Sequence, residues 1–181
     1  DIVMCVPSGN FGNICSALFG KQMGLPINRF IAANNANDIF FKYLKTGKYE
    51  PKASIQTIAN AMDVGDPSNF ARIYDLYKGN HNQIKSDISG TTYADDEIAE
   101  TILKCHQETG YILDPHGACG YQALKYSLKD NEIGIFCETA HPAKFKDTVE
   151  NIIKAPVEIP ERLALFMKGE KQSVEMTKNF C

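Results

Sequence analysis

A short segment rich in glycine and asparagine carries the clearest chemical signal in the chain. It reads Ser8-Gly9-Asn10-Phe11-Gly12-Asn13 and lies between a strand-like apolar run and a helix-like segment. Free backbone N–H groups at the start of a helix, together with the helix dipole, attract anions, and glycines let the backbone come close to a bound anion. This glycine loop (residues 8–13) is therefore a candidate phosphate site. The alternative is an ordinary strand-to-helix turn.

The residues around the glycine loop narrow the kind of phosphate. A nucleoside-triphosphate loop carries Gly-Lys-Ser/Thr, but no lysine or arginine occurs between Asp1 and Gly20. A dinucleotide loop needs G-x-G-x-x-G and an acidic residue about 20 positions later. Here the spacing is G-x-x-G, and Asn34-Asn35 ends the second strand-like run. A single phosphomonoester held by backbone N–H groups fits better, and pyridoxal 5′-phosphate (PLP) is such a ligand.

Cysteine and histidine suggest a second kind of chemistry, metal binding, which we consider less favoured. The six cysteines are Cys5, Cys15, Cys105, Cys119, Cys137 and Cys181. None forms a Cys-x-x-Cys pair, and their wide spacing indicates reduced core thiols in a cytosolic protein. The Cys105-His106 pair and the His116-x-x-Cys119 pair could be drawn together as a zinc site. Adjacent residues on a helix point about 100° apart, so we expect Cys105 to be buried, His106 to be exposed and no metal to bind.

Apolar runs and turn residues predict the elements that position these groups. Strands are predicted at residues 2–6, 29–33, 88–93 and 133–137, and helices at residues 14–23, 37–45, 67–77, 95–109, 118–128, 143–153 and 160–167. Residues 114–117 are predicted as a turn. The first 45 residues follow the order β-loop-α-β-α, which is typical of a parallel sheet with crossover helices. We predict a three-layer αβα fold with a mostly parallel sheet, in which strands 2–6, 29–33 and 133–137 are buried on both faces.

Composition excludes several classes of protein. The chain has 181 residues, 19 basic and 22 acidic, with a net charge of −3, and 44% of its residues are apolar. These values are ordinary for one globular domain, which we predict to span residues 1–181. There is no basic excess for nucleic acid and no apolar run near the roughly 20 residues of a membrane helix. The first ten residues lack a signal-peptide pattern. We therefore expect a cytoplasmic protein with no nucleic-acid or membrane partner.

Five segments together resemble a known family. They read VPSGNFGNI, NANDIFFKYLKTGKY, MDVGDPSNFAR, LDPHGACGY and TAHPAKF, beginning at residues 6, 35, 62, 113 and 139. In this order they resemble the threonine synthase family, which belongs to the fold type II PLP enzymes with the tryptophan synthase β-subunit. The resemblance extends over most of the chain. It implies a PLP-dependent carbon–oxygen lyase of threonine biosynthesis, which converts O-phosphohomoserine and water to threonine and phosphate.

The resemblance also assigns cofactor-binding residues. Gly9, Asn10, Phe11, Gly12 and Asn13 would bind the PLP phosphate, and Thr139 would face the pyridine nitrogen. A hydroxyl can donate a hydrogen bond to a neutral ring nitrogen, whereas an aspartate would force its protonation. The alternative for Thr139 is a hydroxyl that only satisfies loop backbone.

Several polar residues have less certain roles. The resemblance puts Asp114, His116 and Gly117 on a loop bordering the cofactor ring. There His116 is either an acid or base or a histidine that bonds backbone. His141 is either a further site residue or the cap before Pro142.

The polar segment around residues 63–72 is a second uncertain region. Arg72 either contacts an anionic substrate or belongs to a solvated surface with its polar neighbours. Those neighbours are Asp63, Asp66, Ser68 and Asn69.

The resemblance further implies that essential residues lie outside these 181 residues. In threonine synthases the Schiff-base lysine sits in a Ser-x-Lys-Asp segment well before the glycine loop. We therefore expect the chain to be a C-terminal portion that lacks this lysine, is inactive alone, self-associates, and has the missing N-terminal part as its natural partner. Two alternatives stay open: another fold type II enzyme similar to serine or threonine dehydratases, and a non-catalytic phosphate-binding α/β domain.

Overall fold

The protein folds as a parallel sheet between two layers of helices, as predicted. We describe residues 1–177 of a computed structural model. The four strands are Ile2–Pro7 (β1), Arg29–Asn34 (β2), Ile88–Thr92 (β3) and Ile133–Phe136 (β4). The eight α-helices are Gly12–Gln22 (α1), Ile39–Thr46 (α2), Phe70–Leu76 (α3), His81–Asp87 (α4), Asp95–Thr109 (α5), Pro115–Ser127 (α6), Lys146–Ile153 (α7) and Glu161–Met167 (α8). Short 3-10 helices lie at Asn60–Met62 and Pro142–Phe145.

All strand pairs are parallel, and the strand order is β3-β2-β1-β4. Each face of the sheet supports its own apolar core. Val3, Cys5 and Ile31 pack with α5, α6 and α7, whereas Phe30 and Ala32 pack with α1, α2, α3 and α4. Alternate strand residues therefore point to opposite cores, as the period of two requires. The three-layer prediction is confirmed.

The prediction that three strands are buried on both faces is wrong for β4. This strand forms one edge of the sheet, and its side chains Ile133 and Ile135 are 67% and 48% exposed. The β1 and β2 strands lie in the middle and are buried. A short apolar run predicts a strand but does not reveal whether the strand is central or at an edge.

Helices α3, α6 and α7 each begin three residues from the predicted start, and one further helix was not predicted. Helix α7 begins at Lys146, since residues 142–145 form the 3-10 helix that precedes it. Helix α3 begins at Phe70, because the preceding residues form a turn in which Phe70 N donates to Pro67 O. Helix α6 begins at Pro115, with Asp114 as its N-cap, so residues 114–117 are the start of a helix and not a separate turn. Helix α4 was not predicted. Its seven residues follow the N-cap Asn80, whose side chain accepts from Gln83 N.

The cysteines lie mainly in the two cores. Cys5, Cys15, Cys105, Cys119 and Cys137 are free, and all except the half-buried Cys137 are buried; Cys181 lies outside the described residues. Burial raises the pKa of the Cys5 thiol to about 12, which keeps it protonated and unreactive. His106 is half-buried and not exposed as predicted.

Two kinds of feature are absent from residues 1–177. No group of three or more histidine, cysteine or acidic side chains in this part of the chain is placed to hold a metal ion. None of its helices combines the length and the apolar character that crossing a membrane requires.

Candidate functional site

The topology of the sheet brings two chain segments to one cleft. Strand order reverses between β1 and β4, because the chain leaves β1 for β2 on one side and later returns to β4 on the other. In open α/β sheets, ligands bind beyond the carboxyl ends of the strands at such a switch point. The glycine loop follows β1 there, and Glu138 and Thr139 follow β4.

The glycine loop presents a row of backbone donors that the protein itself leaves free. Residues 9–13 contribute five N–H groups, and none of them donates a hydrogen bond to another group within residues 1–177. The neighbouring Ser8 N–H, in contrast, donates to Ala33 O at 2.8 Å. Gly12 and Asn13 are the first residues of α1, whose N-terminal N–H groups have no partner within the helix. The arrangement suits an anion.

Phe11 gives the loop its shape. Its φ of 63° and ψ of 14° are left-handed, which is uncommon for a residue other than glycine. Its side chain is 2% exposed and packs against the ring of Phe40, with 4.9 Å between centroids. Burial of the ring thus holds the backbone in a conformation that costs free energy. Left-handed turns of this kind form concave anion-binding nests of N–H groups.

The two residues that precede α3 hold the glycine loop in place through hydrogen bonds to Asn10. Asn10 Oδ1 accepts from Ser68 N at 2.7 Å and from Ser68 Oγ at 3.1 Å, and Asn69 Nδ2 donates to Asn10 O at 2.8 Å. Ser68 and Asn69 therefore hold the glycine loop in place. They do not belong to a merely solvated surface, which was one of the two interpretations of this polar segment. The Arg72 side chain is exposed and forms no ion pair with another side chain within residues 1–177.

Two shallow cavities meet at the loop. One, of about 280 Å³, is lined by residues 9–13 with Pro7, Ala61, Met62, His116 and Thr139. The other, of about 410 Å³, is lined by Met4, Asn13, Ser16, Ala17, Cys137 and Thr139. Asn13 and Thr139 border both cavities. The linings hold no lysine, arginine or acidic side chain, so an anion bound there would be held by backbone dipoles and neutral groups.

Thr139 is exposed at the junction of the two cavities. The loop after it is capped by His141, whose Nδ1 accepts from Ala143 N at 3.1 Å. His141 therefore acts as the cap of the helix that begins at Pro142, which was one of its two interpretations. The Thr139 hydroxyl is left available toward the cavities.

His116 is held by two hydrogen bonds that fix its ring. Its Nδ1 lies 2.6 Å from Asp114 Oδ1, and its Nε2 accepts from Ala61 N at 3.1 Å. The proton is therefore on Nδ1, and the lone pair of Nε2 is already used. His116 is 3% exposed and lies in the first turn of α6 and not on a loop. This geometry favours a histidine that bonds backbone over an acid or base.

A buried polar network supports the cavity wall at Ala61 and Met62. Asp63 accepts from Asn35 Nδ2 at 2.8 Å, from Thr57 N at 3.0 Å and from Thr57 Oγ1 at 2.7 Å, and also from Asn37 Nδ2 at 3.2 Å. The wall lies directly against Gly9, where a Cβ would come within 2.7 Å of Met62 Cα. Asp63 thus has a structural role, and Gly9 is required for this close approach. Asp66 accepts a hydrogen bond from the Tyr49 hydroxyl at 2.9 Å.

Glu138 is a site residue that the sequence analysis missed. Its Oε1 accepts from Asp114 N at 3.2 Å, and burial, together with the nearby Asp114 charge, raises its pKa to about 7. A Cβ on Gly117 would overlap Glu138 Oε2, so any larger residue at this position would displace the carboxyl group. Residues 114–117 stand out in the sequence as a segment near the cofactor. The glycine in this segment, Gly117, does not by itself indicate which side chain packs against it.

Comparison with protein families gives two matches. A family model described as "Pyridoxal-phosphate dependent enzyme" matches residues 1–134, which is about three quarters of the chain. A second model, "Threonine synthase, C-terminal", matches residues 117–180. The two matches overlap over residues 117–134, so the glycine loop falls in the first match alone and Thr139 in the second alone.

Individual relatives agree with the family matches. A threonine synthase of Haemophilus influenzae is 45% identical over 181 residues, covering 100% of this chain and 42% of that protein. Threonine synthase from Escherichia coli, a crystal structure, is 41% identical with a TM-score of 0.85 and covers 91% of this chain and 38% of that one. PLP-bound threonine synthase from Brucella melitensis is 30% identical with a TM-score of 0.87 and covers 94% and 42%. The chain thus spans about two fifths of the length of these relatives.

Proposed function

This chain belongs to the pyridoxal-phosphate dependent enzyme family, and from that premise we propose that it is the C-terminal portion of a threonine synthase, which binds the PLP phosphate and ring nitrogen. The observation that carries the proposal is the row of five N–H groups at residues 9–13, which donate to no group within residues 1–177 and line an uncharged cavity at the switch point of the sheet. The threonine synthase relatives and the match of residues 117–180 support the choice within the family.

The donor set fits the cofactor. Gly9, Asn10, Phe11, Gly12 and Asn13 would hold the phosphate through backbone N–H groups. The Thr139 hydroxyl would donate a hydrogen bond to the pyridine nitrogen and leave that nitrogen neutral. When bound, PLP supplies an electron-withdrawing ring that stabilises carbanions. His116 would not exchange protons with substrate, because Ala61 N–H occupies its free nitrogen.

The proposed reaction of the whole enzyme converts O-phosphohomoserine and water to threonine and phosphate. Phosphate leaves from Cγ, and the oxygen of water adds at Cβ, so the enzyme is a carbon–oxygen lyase that acts on phosphates. The residues of this chain bind and orient the cofactor. They hold no proposed acid or base for the proton transfers.

We place the Schiff-base lysine outside these 181 residues and expect the chain alone to be inactive. Lys144 is the lysine nearest to a motif, but it is exposed and lines neither cavity at the glycine loop. Borohydride reduction of the 181-residue chain with PLP, followed by peptide mapping, tests this. We expect only scattered labelling below stoichiometry. A stoichiometric adduct on one lysine would contradict the proposal.

We further propose that the protein is cytoplasmic and that its exposed apolar surface packs against another polypeptide. Free buried cysteines are typical of reducing compartments. The edge strand β4 exposes Ile133 and Ile135, and α8 exposes Phe166 and Met167. Such surfaces favour association. In the whole enzyme they would meet the N-terminal part, and in the isolated chain they would favour self-association.

The experiment that tests the cofactor site compares three ligands by thermal shift of the purified protein. PLP and inorganic phosphate should both raise the melting temperature, since each presents the anion that the loop binds. Pyridoxal, which lacks the phosphate, should give a much smaller shift. If PLP and pyridoxal shift the melting temperature equally, or if phosphate does not shift it, the glycine loop is not the anion site.

A further inference from the structure

A continuous chain of hydrogen bonds crosses the buried side of the site. Asp114 is 0% exposed and caps α6 by accepting from His116 N at 2.8 Å. The same Oδ1 accepts from His116 Nδ1, and His116 Nε2 accepts from Ala61 N. The chain therefore ends on the wall of the cavity that adjoins the glycine loop.

At the Asp114 end of this series of hydrogen bonds, two carboxyl oxygens have no donor group of residues 1–177 beside them. Asp114 Oδ2 and Glu138 Oε2 are both buried, and neither accepts a hydrogen bond from a donor group in the described part of the chain. Yet the two carboxyl groups lie close together, because Glu138 Oε1 accepts from Asp114 N at 3.2 Å and each group leaves its second oxygen buried. Two buried carboxylates this close repel each other, whereas a proton on one of them supplies an O–H donor for the other.

The surroundings decide which carboxyl group is protonated. Asp114 already accepts from His116 N and Nδ1, and such bonds stabilise a carboxylate. Glu138 accepts only one backbone bond. Burial and the Asp114 charge raise its pKa from 4.5 to about 7. Glu138 lines a separate cavity of about 920 Å³, and the other titratable groups that line it are Tyr111, His141, Glu158 and Glu161. No lysine or arginine within residues 1–177 pairs with Glu138 or Asp114.

We propose that Glu138 is a protonated carboxylic acid that donates its hydrogen to Asp114, and that it acts as a positioning residue for both sides of the candidate cofactor site. The inference rests on the proposed function only for the identity of the ligand. Glu138 precedes Thr139 at the end of β4, and through Asp114 and His116 it is linked to the Ala61 wall. Loss of the shared proton would set two carboxylates against each other and loosen this link.

Three versions of the protein test the proposal: the wild type, Glu138→Gln, and the control Glu158→Gln. Glutamine offers a permanent N–H donor to Asp114 and does not titrate. Glu158 is exposed, lines the same cavity as Glu138 and undergoes the same chemical change when glutamine replaces it. Unfolding is followed without any cofactor, so a failure of the proposed function cannot mask the result.

The expected pH dependence follows from proton linkage. Native Glu138 holds its proton between its ordinary pKa of 4.5 and about 7, whereas the unfolded chain loses it, so stability falls as pH rises through this window. The folded-to-unfolded ratio should fall by at most about tenfold per pH unit from this group. Above pH 7 its contribution is constant. Glu138→Gln should remove this part of the slope, and Glu158→Gln should keep it.

Infrared spectroscopy of the wild type detects a protonated carboxyl group directly, and a merely structural role of Glu138 would not produce its signal. A carboxylic C=O band should be present at pH 6, should disappear as pH rises past 7, and should be absent in Glu138→Gln. The proposal is overturned if the band is absent from the wild type at pH 6. It is also overturned if wild type and Glu138→Gln share one stability profile, or if Glu158→Gln flattens the profile equally.

Discussion

Replacing Gly9 by alanine should damage the site far more than replacing Gly12, although both glycines belong to one loop. A Cβ at Gly9 would lie 2.7 Å from Met62 Cα and 2.9 Å from Ala61 O. Both atoms are backbone and cannot rotate away. The wall that carries them is fixed by the hydrogen bonds to Asp63.

The magnitude follows from this geometry. Forcing a methyl group into a packed site costs about 1–3 kcal/mol. Because backbone has to move, we expect Gly9→Ala to lie near the upper end, at about 2–3 kcal/mol of lost stability. At Gly12 a Cβ would meet nothing closer than Asn69 Nδ2 at 3.9 Å. Gly12 begins α1, so alanine there should leave stability unchanged or raise it by up to about 1 kcal/mol.

The assay is urea unfolding of both variants, paired with titration of inorganic phosphate. We expect Gly9→Ala to weaken phosphate binding at least tenfold, since the wall and the loop must separate. Gly12→Ala serves as the control for stability alone, because its methyl group can still crowd the anion. The reasoning is refuted if Gly9→Ala is as stable as the wild type. It is also refuted if Gly12→Ala is destabilised by the same amount.

Three further outcomes are expected. Asn10→Ala removes the acceptor that Ser68 uses and should cost about 1–2 kcal/mol in urea unfolding, with weaker phosphate binding. Arg29 hydrogen-bonds Glu132 and lowers its pKa to about 2, so stability present above pH 4.5 should disappear as pH falls toward 2; acid titration of Glu132→Gln should lack this loss. Ile135→Lys should lower the apparent mass in light scattering at high concentration, and an unchanged mass would argue against association through β4.

The elements themselves could be predicted from the sequence because their signals are local. The apolar run at residues 2–6, the acidic first turn of α5 and its stop at Gly110 each act within a few residues. Helix α4 was missed because its seven residues are polar except for one buried side chain, Ile84, which gives no helical period. The start of α6 is predicted three residues too late because Asp114-Pro115-His116-Gly117 is typical of a turn, although proline also suits the first turn of a helix.

The roles of the site residues could be predicted only in part. The glycine loop was identified from its own residues, since a helix start and two glycines are local features. The role of His116 was left open, because its protonation depends on Ala61, which lies 55 residues away. Glu138 gave no signal at all, because a glutamate at the end of a strand is normally exposed to solvent.

The sequence by itself predicted the order of the strands and of every α-helix except α4, a phosphomonoester as the anion that the glycine loop would bind, and the family resemblance, which rests on five segments in a fixed order. Only the tertiary structure decided which of those segments meet. Parallel strands place their carboxyl ends at one edge, and the switch between β1 and β4 selects the glycine loop and Thr139 as neighbours there. Burial then sets the proton on Glu138, because desolvation and a second carboxyl group exist only in the folded chain.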